Sequence, residues 1–331
     1  MNVNRRNFLS NTLALGATVA AAGCVFAGAK TAAPEKIYVL SRDVDAVWLV
    51  GEEGSEKVYD LPDTAEDAAV SGSVLWYSKE DSVVRVGLAD GSETEYPLPE
   101  GLSAGYGMWY VTEDEAYILL STFDELEYST GDIYRFGEGG EELVTDGTGS
   151  VGLSAIGVDG GSLYYLAGSP AERRLVCEDA NGTLTVCDRP GRSLLCLSFD
   201  GGRLYACVNS LCRSCDAATL GDERIETAFA SVTSLQRVKT ADDGVRLAYA
   251  LAHDGWLYYF TNNYESSELA DDGLLVARRI SDGKLVAYSV ASYSAFQYSV
   301  MRMLTFGERG FVFNCGLRED EFVYFPYYAG N

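Results

Sequence analysis

Two short patterns recur along this chain, and their recurrence limits the folds open to it. A tight polar turn running into an apolar-aromatic strand reads Asp159-Gly-Gly-Ser-Leu-Tyr-Tyr165. It returns as Asp200-Gly-Gly-Arg-Leu-Tyr205, as Asp254-Gly-Trp-Leu-Tyr-Tyr259 and, loosened, as Ser71-Gly-Ser-Val-Leu-Trp-Tyr77. A second unit, Gly54-Ser-Glu-Lys-Val-Tyr-Asp-Leu-Pro62, matches Gly91-Ser-Glu-Thr-Glu-Tyr-Pro-Leu-Pro99, 37 residues later; Gly182-Thr-Leu-Thr-Val-Cys-Asp-Arg-Pro190 is a fainter third copy. Strand-turn units at a spacing near 40 residues are the signature of β-propeller blades, whose apolar sheet faces need neighbours on both sides.

From Lys36 onward, runs of four to seven residues rich in Val, Leu, Tyr and Phe alternate with Asp-Gly, Gly-Gly and Asn-Gly turns, with almost no helical periodicity. The predicted fold is an all-β propeller over 36–331, of seven four-stranded blades with six or eight as alternatives. The blades are placed at 36–62, 66–99, 105–146, 153–190, 193–229, 245–289 and 298–325. The stretch 230–244 fits none of them. The first blade lacks its innermost strand and the last its outermost, so the chain ends are expected to meet in the ring. A closed ring protects strand edges that an open sandwich leaves in water.

Residues 1–29 read as an address. Asn4-Arg-Arg-Asn-Phe-Leu-Ser10 resembles the twin-arginine export motif, with Arg5, Arg6, Phe8 and Leu9 in place, ahead of an Ala- and Gly-rich stretch. Asn11, Thr12, Gly16 and Thr18 interrupt an apolar run too short for a clear membrane span. Two cleavage sites compete: Ala21-Ala-Gly-Cys24 resembles a lipobox that leaves Cys24 lipidated, and Ala27-Gly-Ala29 suits an ordinary signal peptidase. Residues 30–35 are the linker. The expected location is the periplasm or an extracytoplasmic membrane surface, with membrane contact only through an anchor at Cys24.

The repeats resemble the exported bacterial β-propellers of the TolB-like or low-density-lipoprotein-receptor-like kind, over about residues 36–325. The resemblance implies a fold; function within such families is diverse. Trp-Asp pairs at blade spacing, the kelch Gly-Gly and Trp pattern and the Trp-docking motif of quinoprotein propellers are all missing.

Charge narrows the partners. The chain carries 25 basic and 49 acidic side chains, a net charge of −24, and only Arg5 and Arg6 are charged within the first 29 residues. Such a chain repels phosphate backbones and anionic headgroups, so no nucleic-acid partner is expected. Chemistry is thinly supplied. The one histidine, His253, precedes a turn and reads as a solvent-exposed residue. No Gly-x-Ser-x-Gly elbow, Gly-rich phosphate loop or EF-hand loop is present. Catalytic residues, metals and cofactors are therefore not assigned, although coincidental carboxylate pairs leave glycosidic chemistry open.

Binding has better support. If Asp-Gly-Gly turns join first to second strands, the loops joining second to third strands share the opposite rim. Three of them are long: Ser121–Gly131, Ala167–Arg174 and Thr261–Gly273. They present Phe123, Tyr128, Arg173, Arg174, Asn262, Asn263 and Tyr264, suited to a protein, peptide or glycan ligand. The expected function is thus an exported, non-catalytic binding or scaffold module. The alternatives are a cofactor- or metal-carrying propeller exported folded, or a propeller hydrolase or lyase.

Seven cysteines follow Cys24. A two-residue turn at Gly201-Gly202 sets Cys196 opposite Cys207, and one at Asn209-Ser210 sets Cys207 opposite Cys212. Cys215 follows three residues on, so Cys196, Cys207, Cys212 and Cys215 form a candidate thiol cluster, either disulfide-forming or metal-binding. A two-residue turn at Asn181-Gly182 pairs Cys177 with residue 186 and puts Cys187 on the other sheet face.

Overall fold

The computed structural model describes residues 34–41, 43–121, 131–145, 156–168, 173–190, 194–208, 211–228, 245–246, 250–261, 274–289, 304–314 and 322–327. Contacts divide the chain at Pro34, and the unit described here begins at Glu35. It is a seven-bladed propeller of antiparallel sheets, with no helix among the described residues.

Blade 1 holds β1 (Lys36–Leu40), β2 (Ala46–Gly51) and β3 (Gly54–Asp60), and blade 2 holds β4 (Asp67–Ser71), β5 (Val74–Ser78), β6 (Ser82–Gly87) and β7 (Glu93–Pro97). Blade 3 is β8 (Ser103–Val111), β9 (Ala116–Ser121), β10 (Gly131–Gly137) and β11 (Gly140–Thr145). Blade 4 is β12 (Gly157–Asp159), β13 (Ser162–Ala167), β14 (Arg174–Glu178) and β15 (Leu184–Pro190). Blade 5 is β16 (Leu194–Asp200), β17 (Arg203–Val208), β18 (Leu211–Asp216) and β19 (Arg224–Ile225). A two-stranded ladder, β20 (Thr227–Ala228) with β21 (Val245–Arg246), precedes blade 6. Blade 6 is β22 (Leu251–His253), β23 (Trp256–Thr261), β24 (Leu274–Arg279) and β25 (Leu285–Ser289), and blade 7 is β26 (Leu304–Phe306), β27 (Gly310–Asn314) and β28 (Phe322–Pro326).

The Asp-Gly-Gly repeats are the hairpins between first and second strands. Gly201 and Gly202 take φ of 55° and 75°, and Asp200 pairs with Arg203 across them. Two successive left-handed residues make the turn whose twist matches the flanking strands. Asp254 at φ 46° and Gly255 at φ 77° repeat it in blade 6. These hairpins define a turn rim; the opposite end of the ring, where second strands run into third, is the loop rim.

Alternation within the strands fills the spaces between blades. In β5, Val74 and Trp76 face the core shared with blade 3, whereas Leu75 and Tyr77 face the core shared with blade 1. Trp76 is fully buried and donates its Nε1–H to the Thr112 carbonyl at 2.9 Å, so its one polar group is satisfied across the interface.

Closure occurs between blades 7 and 1. Ile37, Val39 and Val50 of blade 1 pack with Val312 of blade 7, and Trp48 lies 5.7 Å from Phe322. The Glu35 carboxylate accepts the backbone N–H groups of Glu308 and Arg309 and the Tyr324 hydroxyl. Those N–H groups belong to the hairpin joining β26 to β27, so β1 starts at the turn rim, as second strands do. Blade 1 therefore consists of a second, third and fourth strand and blade 7 of a first, second and third. This is the complementary shortfall expected from the repeats.

Two boundaries differ from the expectation. Residues 227–228 and 245–246 leave blades 5 and 6 to form the separate ladder that brackets 229–244. At the Asn181-Gly182 hairpin the connection is five residues, Asp179 to Thr183. The Asp179 carboxylate accepts the N–H groups of Asn181 and Thr183 at 2.9 and 2.8 Å, and these bonds hold it well below the usual carboxylate range. The longer connection moves the register by one, so Cys177 faces Thr185 instead of residue 186. Cys187, two residues further on, shares the face of Cys177.

Candidate loop-rim recess

The long loops begin and end where their lengths in the sequence place them, between β9 and β10, β13 and β14, and β23 and β24. Phe123, Tyr128, Asn262, Asn263 and Tyr264 lie outside the described residues. Arg173 is buried, and burial lowers its pKa. Arg174 opens β14 opposite Ala167 and is exposed.

One recess on the described part of the loop rim lies where the connections are short. Residues 63–66, 79–81 and 98–102, with Glu95, line an open recess of about 1100 Å³ beside blade 2. Six carboxylates line it (Asp63, Glu66, Glu80, Asp81, Glu95 and Glu100) with Lys79 as the one basic side chain, and Leu98, Pro99 and Leu102 form an apolar wall. The connections are braced by their own backbones: Glu66 N–H donates to the Ser78 carbonyl, Lys79 N–H to Ser82, Leu98 N–H to Asp81 and Ala65 N–H to Pro62, all at 2.8–2.9 Å. Glu95 accepts from the Ser82 hydroxyl at 2.6 Å and from Lys79 Nζ at 3.2 Å. The hydroxyl first, and then the lysine, hold its carboxyl below the ordinary range. The recess is thus a fixed bowl of negative charge whose only cation is already paired.

A second recess, about 720 Å³, opens on the turn rim between blades 2 and 3. Its arginines are committed: Arg85 donates to the Glu113 carbonyl, and Arg135 pairs with Glu115 and Glu142. Its four carboxylates (Asp114, Glu115, Glu138 and Glu142) outnumber those two arginines, a smaller acidic excess than that of the loop-rim recess.

No group of three or more His, Cys, Asp or Glu side chains among the described residues is arranged to hold a metal ion. His253 is not the exposed turn residue expected from its position. It closes β22, half-buried, with its ring stacked 4.2 Å from Phe306 and 5.9 Å from Tyr327. Burial lowers its pKa, with Asp254 and Asp200 opposing.

The thiols divide into two sets. Cys207 pairs with Cys196 on one side and with Cys212 on the other, the register set by the two hairpins. Cys207 and Cys212 are buried in the core between blades 5 and 6, where Ala250 N–H donates to Cys207 Sγ at 3.2 Å. The side chain of Cys196 lies outside the described set. Cys215 does not join this row: three residues along β18 reverses the face, and it packs with Cys177 and Cys187 between blades 4 and 5.

No family model and no curated protein matches the chain. Solved structures do. TolB from Acinetobacter baumannii is 13% identical, covering 88% of this chain and 72% of its own, with a TM-score of 0.48. The likeness is one of fold. Virginiamycin B lyase from Staphylococcus aureus is also 13% identical, over 87% of this chain and 92% of its own, at a TM-score of 0.45. A structure of the nidogen/laminin complex is 13% identical over 80% and 99%, at 0.44. These values give no residue-level correspondence; the blade assignment stands on the sheets themselves.

Sequence reading missed the recess because it weighted long loops. The usable signal was the set of acidic residues in the short connections of the second repeat, Asp63, Glu66, Glu80, Asp81 and Glu100.

Proposed function

We propose that the protein is an exported, non-catalytic binding propeller that takes a positively charged segment of a partner protein or peptide into the loop-rim recess beside blade 2. The observation that carries this reading is the recess: six carboxylates against one paired lysine, on braced backbone, next to an apolar wall. Like charges held together raise the local potential and the on-rate for a cation, and low-dielectric walls focus that field. The apolar wall suits the aliphatic stems of Lys and Arg, which bury their methylenes while the charged head meets a carboxylate. Export rests on the residues of the twin-arginine motif. Replacing Arg5 and Arg6 with Lys is expected to leave the protein in the cytoplasm, and fractionation that still finds it outside removes export from the reading.

The binding test uses fluorescence anisotropy with a dye-labelled peptide of alternating Lys and Leu and a control of alternating Glu and Leu. The basic peptide is expected to bind, weakening about tenfold or more as salt rises from 50 to 500 mM, because exposed charges are screened over a Debye length of about 10 Å at 0.1 M. The variant Glu66→Gln/Glu80→Gln/Asp81→Asn/Glu100→Gln is expected to lose that binding. Equal affinity for both peptides, or full binding by the variant, contradicts the proposal.

A further inference from the structure

Blades 4 and 5 share a core that contains three thiols on facing sheets: Cys177 on β14, Cys187 on β15 and Cys215 on β18. Cys177 and Cys215 are buried, whereas Cys187, on the outermost strand, is half-exposed. Register decides which pairs are open to bonding. Cys177 faces Thr185, so Cys187 is its diagonal neighbour in the same sheet. A diagonal pair is about 7–8 Å apart, beyond the Cα separation that a disulfide spans. The Cys177 thiol is further occupied by the Tyr164 side chain, whose hydroxyl also reaches across the interface to the Ala217 carbonyl at 3.1 Å. Cys187 packs against the same core from the outer strand, and Cys215 lies in that core on the facing sheet. We propose that Cys187 and Cys215 are the site of an inter-blade disulfide that staples the outer strand of blade 4 to blade 5.

Two facing sheets can carry such a bond, as the inter-sheet disulfide of immunoglobulin domains shows. A disulfide donor such as oxidised glutathione supplies the oxidant. The Cys187 thiolate attacks one sulfur of the donor, expels one glutathione thiolate and becomes a mixed disulfide. The Cys215 sulfur, after losing its proton to water, attacks Cys187 Sγ and expels the second glutathione. Two protein thiols are oxidised and one glutathione disulfide is reduced to two thiols. The half-exposed Cys187 is the sulfur that the donor reaches first. Burial, and after it the nearby Cys187, push the Cys215 thiol up to about 12, so the second step is the slow one near neutral pH. Its rate is expected to rise about tenfold per pH unit below that value, as the thiolate fraction does.

The test treats the folded protein with oxidised glutathione at pH about 7 and about 9, quenches with iodoacetamide and maps tryptic peptides without reduction. Cleavage places Cys177 and Cys187 in peptide 175–192, Cys215 in 214–224, and Cys207 and Cys212 in 204–213. The expected product links 175–192 to 214–224, forms faster at the higher pH, is lost in Cys187→Ser and is kept in Cys177→Ser. The oxidised wild type is expected to unfold several degrees higher than the reduced form, since the bond closes a long loop in the unfolded chain. Absence of that linked pair in wild-type protein that keeps its native circular dichroism overturns the proposal. So does its survival in Cys187→Ser, or a link that recruits 204–213 instead.

Discussion

His253 shows how far a side chain's role depends on a neighbour that the sequence does not place beside it. Its position before Asp254-Gly255 suggests solvent, but blade 7 brings Phe306 and Tyr327 against its ring. Burial lowers its pKa from the ordinary value of 6.5, so the unfolded chain takes up this proton at a higher pH than the folded one does. The linked stability is full above about pH 6.5 and is lost as pH falls through the lower folded value. His253→Phe keeps the stacking and removes the proton. Thermal unfolding of this variant is expected to vary less between pH 7 and pH 5 than that of the wild type, and an unchanged slope would show that His253 is not the titrating group. The thiols of blade 5 were legible for the opposite reason. A Gly-Gly hairpin fixes register locally, so Cys196, Cys207 and Cys212 could be aligned by number alone. At Asn181-Gly182 the same logic failed by one residue, because the Asp179 carboxylate organises a longer connection.

At the scale of strands and blades, the repeats give the sheets and their order, while the polar contacts between blades emerge only in three dimensions. Carboxylates on one blade clasp hairpin N–H groups on the next. Glu113 accepts from Ser73 N–H at 2.8 Å, Asp200 from Gly255 N–H at 3.0 Å and Glu35 from Glu308 and Arg309. No local pattern announces these pairs, since the partners are 40, 55 and more than 270 residues apart. A largely buried ion pair joins blades 5 and 6: Arg278 meets Glu226 at 2.5 Å with both side chains at most 15% exposed. Ser214 donates to the same Glu226 carboxylate at 2.7 Å. Removing one member of such a pair leaves a charge with little water around it. Arg278→Ala is expected to destabilise the protein by about 2–4 kcal/mol in urea unfolding, with Arg278→Ala/Glu226→Ala costing less than the sum of the two single changes. A loss below about 0.5 kcal/mol for Arg278→Ala would mean that the pair is solvated like a surface bridge.

The unit from Glu35 onward is a ring whose seam is assembled from two incomplete blades, 1 and 7. That arrangement was readable because the repeats leave the first blade without its innermost strand and the last without its outermost. The surface was less readable. A net charge of −24 speaks for solubility as readily as for a site, and only the ring shows six carboxylates converging on one short-looped stretch of rim. The most direct measurement is hydrogen–deuterium exchange of the full chain with and without a saturating Lys-rich peptide. Slowed exchange is expected in 63–66, 79–81 and 98–102, with the turn-rim segments 112–115 and 137–140 unchanged. Protection confined to the turn rim, or no protection at a peptide concentration that saturates the anisotropy signal, would contradict the assignment of the recess as the binding site.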